Sequence, residues 1–178
     1  MSNGKVFWLF GLSGAGKTTL ATDLLARLRR EGRPVWSLDG DELRSGLCRD
    51  LGFTVEARLE NIRRVAEVAR LAASQGGYVV VALITPAETM RRLAVEVIGR
   101  DRVDLIWIDV PLEVCRQRDP KGLYRRAAAG DLPLMTGVGA PFEPAAACNL
   151  RLANDDVGAM ADRLWEFCAQ RPAARSFE

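Results

Sequence analysis

The chain has 178 residues, 48% of them apolar and 27% charged, which is enough for one continuous buried core. Lysine and arginine exceed aspartate and glutamate by only two, too small an excess to imply a nucleic-acid partner. There is no histidine, and the four cysteines (Cys48, Cys115, Cys148, Cys168) show no paired spacing, so a zinc centre and a histidine-based triad are both excluded.

Val6 to Phe10 is a short apolar run that stops at a glycine-rich loop and reads as a buried strand. From Lys17 the period changes to that of a helix, with Leu20, Leu24, Leu25 and Leu28 on one face, and Gly32 with Pro34 ends it. Val35 to Leu38 is a second strand, running into Asp39-Gly40-Asp41. Thr54 is placed to cap a long helix from Val55 to Ser74, closed by Gly76-Gly77. Tyr78 to Ile84 is a β-branched run stopped by Thr85-Pro86. A helix over Ala87 to Ile98 and a strand over Val103 to Ile108 follow.

Pro111 to Arg118 and Gly122 to Ala129 read as short helices. Gly130 to Pro144 holds three glycines and three prolines and reads as a mobile loop. Cys148, Leu150 and Leu152 alternate with polar residues as on an edge strand. Asn154 or Asp155 is expected to cap a last helix that turns Val157, Met160, Ala161, Leu164 and Cys168 inward. The arginine clusters at 27, 29 and 30, at 91 and 92, and at 125 and 126 read as solvated helix faces.

Strands alternating with helices, most of them apolar throughout, predict an α/β fold with a parallel sheet covered on both faces. One domain over 1–178 is expected, with a loose tail at 171–178. The chain runs from Met1 straight into a strand, so no signal peptide is expected. No apolar run approaches the roughly 20 residues needed to span a bilayer. A soluble cytoplasmic protein with reduced cysteines follows as the expectation.

Gly11-Leu12-Ser13-Gly14-Ala15-Gly16-Lys17-Thr18 fits G-x-x-x-x-G-K-[ST] at every fixed position, between a buried strand and an amphipathic helix. Glycines there let backbone N–H groups converge on phosphate oxygens at a helix N-terminus. Lys17 can reach the β- and γ-phosphates of ATP, and the Thr18 hydroxyl can ligate Mg²⁺. A turn that merely packed helix on strand would explain Gly11 and Gly16 but not the lysine.

In an open parallel sheet, ligands gather beyond the carboxyl ends of the strands. Those ends carry Asp39 and Asp41 followed by Arg44, then Thr85, then Asp109 with Arg118 and Lys121 beyond it. Asp39 and Asp41 suit Mg²⁺ positioning or acceptance of a proton from an attacking hydroxyl, although a D-G-D turn can also simply cap a helix. Asp109 fits either a Mg²⁺ carboxylate or, with Pro111 following, a cap. Arg58 and Asn61 share a helix face, and Phe53 lies just before that helix. A ring, a cation and an amide so gathered suit an anionic nucleotide; taken singly, Phe53 fits plain core and Arg58 a surface ion pair.

Several segments in the same order resemble the adenylylsulfate kinases. They are G-L-S-G-A-G-K-T-T at 11–19, L-D-G-D at 38–41 with R-S-G-L at 44–47, D-L-G-F-T at 50–54, and Arg58 with E-N-I-R-R at 60–64. Ile84-Thr85-Pro86, P-L-E-V-C at 111–115, R-D-P-K-G-L-Y at 118–124, Thr136-Gly137 and Pro141-Phe142-Glu143 continue the match. The resemblance implies a P-loop kinase-like three-layer sandwich with a central parallel sheet and a lid over 130–144. It implies transfer of the γ-phosphate of ATP, with Mg²⁺, to the 3′-hydroxyl of adenosine 5′-phosphosulfate.

The roles it implies begin with Gly11, Ser13, Gly14, Ala15, Gly16, Lys17, Thr18, Thr19 and Arg118 for ATP, and Thr18 with Asp39 for the metal. Lys17, Asp39, Asp41 and Thr85 would serve catalysis. Asp41, Arg44, Phe53, Arg58, Asn61, Ile84, Thr85, Lys121, Gly122, Leu123, Met135 and Thr136 would line the acceptor site. It also implies a homodimer and an adenylylsulfate supply from a separate sulfurylase or nucleotidyltransferase protein. Some positions depart from the pattern: Thr85 stands for serine, Glu42 for Asn, Ala87-Glu88 for Tyr-Arg, Phe142 for Tyr, and Met135 for a Phe that sandwiches the substrate adenine with Phe53. The alternative reading keeps the fold and the chemistry on another nucleotide, such as cytidine diphosphoramidate in capsule modification.

Overall fold

The computed structural model describes residues 4–153 and 156–171. Five parallel strands, β1 (Lys5–Phe10), β2 (Val35–Asp39), β3 (Tyr78–Leu83), β4 (Val103–Ile108) and β5 (Leu150–Leu152), form one sheet in the order β2-β3-β1-β4-β5. The β1 strand is central because it is apolar on both faces. Phe7 and Leu9 enter the layer under helices α1 (Lys17–Arg30) and α7 (Val157–Ala169), while Val6, Trp8 and Phe10 enter the layer under α3 (Val55–Ser74) and α4 (Glu88–Ile98). The result is the expected three-layer sandwich, and the central strand delivers the glycine-rich loop to the middle of the carboxyl edge.

The long helix α3 keeps its expected bounds. Thr54 Oγ1 accepts from the Ala57 amide at 3.2 Å, and Ile62, Val65, Ala66, Ala69 and Ala73 bury one stripe. The short helices α5 (Leu112–Arg118) and α6 (Leu123–Ala128) also form where read. One element escapes the sequence pattern. Helix α2 (Gly40–Ser45) has six residues, too few to show a period, and buries none of them. The sequence places the last helix cap at Asn154 or Asp155, both outside the described residues. Asp156 holds it, accepting from the amides of Gly158 at 2.8 Å and Ala159 at 3.4 Å. Three consecutive residues able to cap leave that boundary undecided by sequence.

The arginine clusters divide. Arg92, Arg125 and Arg126 are exposed as expected, whereas Arg91 has no exposed surface. All four cysteines are unpaired. No helix among the described residues is long and apolar enough to cross a membrane.

Candidate active site

The loop after β1 is tight because its glycines are required. A Cβ on Gly11 (φ 154°) would lie 2.4 Å from the Ile108 carbonyl oxygen, and one on Gly14 (φ 78°) 2.9 Å from that of Cys115. Cys115 sits in α5, the helix that Arg118 ends, so the phosphate loop rests on α5. Tyr124 adds a brace that the sequence did not single out, its buried hydroxyl donating to the Ser13 carbonyl at 2.9 Å. Ala15 is fully buried beneath the loop, Gly16 precedes α1, and Thr19 stands exposed in its first turn.

Lys17 is half-buried and donates to the Leu12 carbonyl at 2.7 Å, across its own loop. Burial pushes its amine down from 10.5 to about 8; Lys121 acts in the same direction, against Cys115 and Asp39. A lysine held in this way is short of anions, and phosphate oxygens would supply them.

Asp39 ends β2 and uses its two oxygens differently. Oδ2 accepts from the Thr18 hydroxyl at 2.8 Å, while Oδ1 caps α2 by accepting from the Asp41 amide at 3.0 Å. The capping and site readings therefore hold together in one side chain. The Thr18 and Asp39 oxygens, side by side above Lys17's helix, are a hard donor pair of the kind that takes Mg²⁺ along with substrate phosphates rather than in an all-protein cage. Among the described residues no cluster of three or more His, Cys, Asp or Glu could hold a metal. Asp41 forms an ion pair with Lys121, joining α2 to the loop before Gly122 and Leu123. Asp109 does not cap α5 and pairs elsewhere. It accepts from Arg151 Nε at 2.8 Å at the β4–β5 edge, and Pro111 takes the position before α5.

Around the start of α3, Phe53 is not core. It is 53% exposed, with Arg44 over its ring at 4.4 Å and Arg58 at 5.5 Å. Arg44 Nη1 donates to the Leu51 and Gly52 carbonyls, each at 2.9 Å, and Arg58 Nε to that of Phe53 at 2.9 Å. Among the described residues neither guanidinium has an ion-pair partner. Burial lowers the pKa of both below the ordinary arginine value, and Arg44 adds to the effect at Arg58. Two cations without counter-charge beside one half-exposed aromatic ring could take an anion and offer a stacking surface. The loop that presents them is pinned by Arg64, which binds Asp50 at 2.7 and 2.9 Å, Glu60 at 2.9 Å and the Leu47 carbonyl at 3.0 Å. The Arg63 and Arg64 guanidiniums hold the Glu60 carboxyl down at about 2.

Asn61 is 4% exposed and, among the described residues, its Oδ1 has no hydrogen-bond partner. Thr136, in the segment over 130–144, is 2% exposed and its Oγ1 has none either. Buried polar atoms are rarely left unpaired, so both point to a group that arrives from outside. That segment is tied to α3 by Arg58 Nη2, which donates to the Leu134 carbonyl at 2.7 Å. Within it the Met135 carbonyl accepts from the amides of Val138, Gly139 and Ala140 at 3.0–3.1 Å, and the Met135 side chain, like that of Leu12, packs against the core that includes Tyr124.

Ile84 is half-buried and its carbonyl accepts from the Gly11 amide at 3.2 Å, tying the end of β3 to the phosphate loop. Thr85 next to it has φ 44°, a backbone strained by about 1–3 kcal/mol for a β-branched residue. Its hydroxyl accepts from the Trp8 indole N–H at 3.0 Å. Trp8 was legible in principle, since a tryptophan inside an apolar strand needs an acceptor for its N–H.

These positions match a known family. Residues 3–153 fit the family described as adenylylsulphate kinase. The adenylyl-sulfate kinase of Paraburkholderia xenovorans (strain LB400) is 48% identical over 154 residues, 86% of each chain. The bifunctional enzyme NodQ of Rhizobium tropici is 51% identical over 138 residues, 78% of this chain, which spans only 22% of NodQ. The structure of the Mycobacterium tuberculosis APS kinase CysC in complex with AMPPNP and APS superposes with a TM-score of 0.90 at 37% identity, covering 96% of this chain and 100% of that one. A family fit over most of the chain, a relative matched at near full length, and a shared three-layer architecture agree: this chain belongs to the adenylylsulphate kinase family.

Proposed function

We propose that this chain, acting as one P-loop kinase domain, transfers the γ-phosphoryl group of Mg·ATP to the 3′-hydroxyl of adenosine 5′-phosphosulfate, giving PAPS and ADP. The observation that carries the acceptor assignment is the paired set of Arg44 and Arg58 around exposed Phe53, with the unpartnered Asn61 amide oxygen one helical turn from Arg58. Such a site offers a stacking ring, two cations without counter-charge and a buried acceptor, which suits an anionic adenine nucleotide whose exocyclic amine can donate.

In this reading the loop amides from Gly11 to Gly16 cradle the phosphates, and Lys17 neutralises charge on the group in transfer. Thr18 and Asp39 would hold Mg²⁺, which would supply electrostatic stabilisation of the negative charge that develops during transfer. Asp41 exchanges its Lys121 partner for the acceptor hydroxyl and orients it for in-line attack, and Lys121, released, meets substrate anion. Thr85, Ile84, Gly122 and Leu123 form the walls at the strand ends. Residues 130–144 act as the lid, bringing Met135 and Thr136 over the acceptor and excluding water.

The test is ADP release by purified protein with Mg·ATP, comparing adenylylsulfate with cytidine diphosphoramidate. Rapid turnover with adenylylsulfate is expected; turnover confined to the cytidine compound would discard the acceptor and keep the phosphate site. Arg58→Ala is expected to raise the KM for adenylylsulfate by roughly 10- to 100-fold, the worth of one charge-assisted hydrogen bond, and to leave the KM for ATP alone. An equal rise in both would place Arg58 elsewhere.

A further inference from the structure

The sequence pairs Arg91 with Arg92 on a solvated face, yet Arg91 is among the largest fully buried side chains of the described residues. It belongs to α4, whose N-terminus follows Thr85-Pro86 directly. Its Nη1 donates to the Thr85 carbonyl at 3.1 Å, its Nη2 to the Glu143 carbonyl at 3.0 Å and that of Pro144 at 3.4 Å, and its Nε to Glu88 Oε2 at 2.9 Å. The guanidinium lies over the Phe10 ring at 5.2 Å and the Phe142 ring at 6.0 Å. A buried cation persists only where its donors are matched, and here they reach two places far apart in sequence: the strained turn at the end of β3 and the distal root of the lid. Glu143 closes the same corner from the other side. Its amide donates to the Pro86 carbonyl at 2.8 Å, and its carboxylate accepts from the Glu88 amide, the first of α4, at 2.7 Å.

We infer that Arg91 is a positioning residue that locks the Thr85 turn and the root of the lid into one rigid corner, so that acceptor placement and lid closure are set together. Residues 142–144 are then the fixed hinge of the lid, and movement belongs to the part before them. The planar fork is what the corner needs, since one ammonium cannot serve three carbonyls and a carboxylate along these directions. The inference rests on the acceptor reading proposed above, and it predicts a defect in turnover that spares the phosphate site.

The experiment takes the full chain with Arg91→Lys and, as a milder lesion at the exposed side of the corner, Glu143→Ala. Three readings are made: acceptor-dependent turnover, Mg·ADP affinity, and hydrogen exchange in peptides covering 84–88 and 142–145. Arg91→Lys should lower kcat by about tenfold to a hundredfold, as small misplacements do, and leave Mg·ADP affinity within about twofold. Exchange should rise in both peptides together. Unchanged kcat, a parallel loss of ADP affinity, or faster exchange in only one peptide would overturn the inference. If Arg91→Lys does not unfold cooperatively, Glu143→Ala decides: coupled exchange in both peptides with lowered kcat sustains the corner, and exchange confined to 142–145 overturns it. If the wild type does not turn over adenylylsulfate, the acceptor reading has failed, and the exchange arm alone still decides whether the corner is one unit.

Discussion

Lys17→Ala should lower turnover with Mg·ATP by about 10²- to 10³-fold or more, the scale of removing one preorganised charge donor from a site of developing negative charge. It should do so without loss of stability in the nucleotide-free protein. The amine is half-buried and, among the described residues, hydrogen-bonds only the Leu12 carbonyl, and burial already pushes it down to about 8. Its charge is therefore poorly accommodated until phosphate oxygens arrive, and an alanine there removes that cost. Thermal unfolding without nucleotide should show a midpoint equal to the wild type or higher, and the stabilisation conferred by saturating Mg·ATP should shrink. A lower midpoint would make Lys17 a structural residue of the loop, and retained turnover would remove it from the reaction.

Asp39 gives the second large effect, and two substitutions separate its two duties. In Asp39→Asn the side-chain amide oxygen can still accept from the Asp41 amide, and asparagine caps helices about as well as aspartate, so this variant should cost no more than about 0.5 kcal/mol of stability. It removes the carboxylate charge beside the Thr18 hydroxyl, and turnover should fall by about 10²-fold. Asp39→Ala loses the cap as well, adding about 1 kcal/mol of destabilisation to a similar loss of turnover. Denaturant titration alongside ADP release reads both quantities. Should Asp39→Asn keep full turnover, the carboxylate serves only α2, and the metal pairing with Thr18 is wrong.

Both predictions fall on residues plain in the sequence, because a strand, a glycine-rich loop and a helix in that order leave little freedom in where Lys17 and Asp39 lie. The same holds for the long helix, where Thr54, an apolar stripe at helical spacing and Gly76-Gly77 fixed both ends. The apolar runs dictated strands buried on both faces, hence a parallel sheet between two helical layers. These are local or periodic properties, and the chain carries them in its order of residues.

What depended on tertiary structure was which neighbour each side chain met. Periodicity could not separate Arg91 from Arg92, yet one is sealed between two aromatic rings and the other faces water, because only the fold brings Phe142 and the Glu143 carbonyl across to α4. Phe53 would pass for core by its chemistry, and it is instead half exposed, with two arginines from different elements beside its ring. The Asn61 and Thr136 oxygens are informative only once burial and the absence of a partner among the described residues are both known. Helix α2 lies below the length at which a pattern exists, and it forms because Asp39, held by Thr18, caps it. Sequence order set the layers and the phosphate loop, since those follow from spacing. The proposed acceptor site and the Arg91 corner rest on contacts between residues far apart in the chain, 76 positions in the case of Arg58 and Leu134, and spacing carries no record of those.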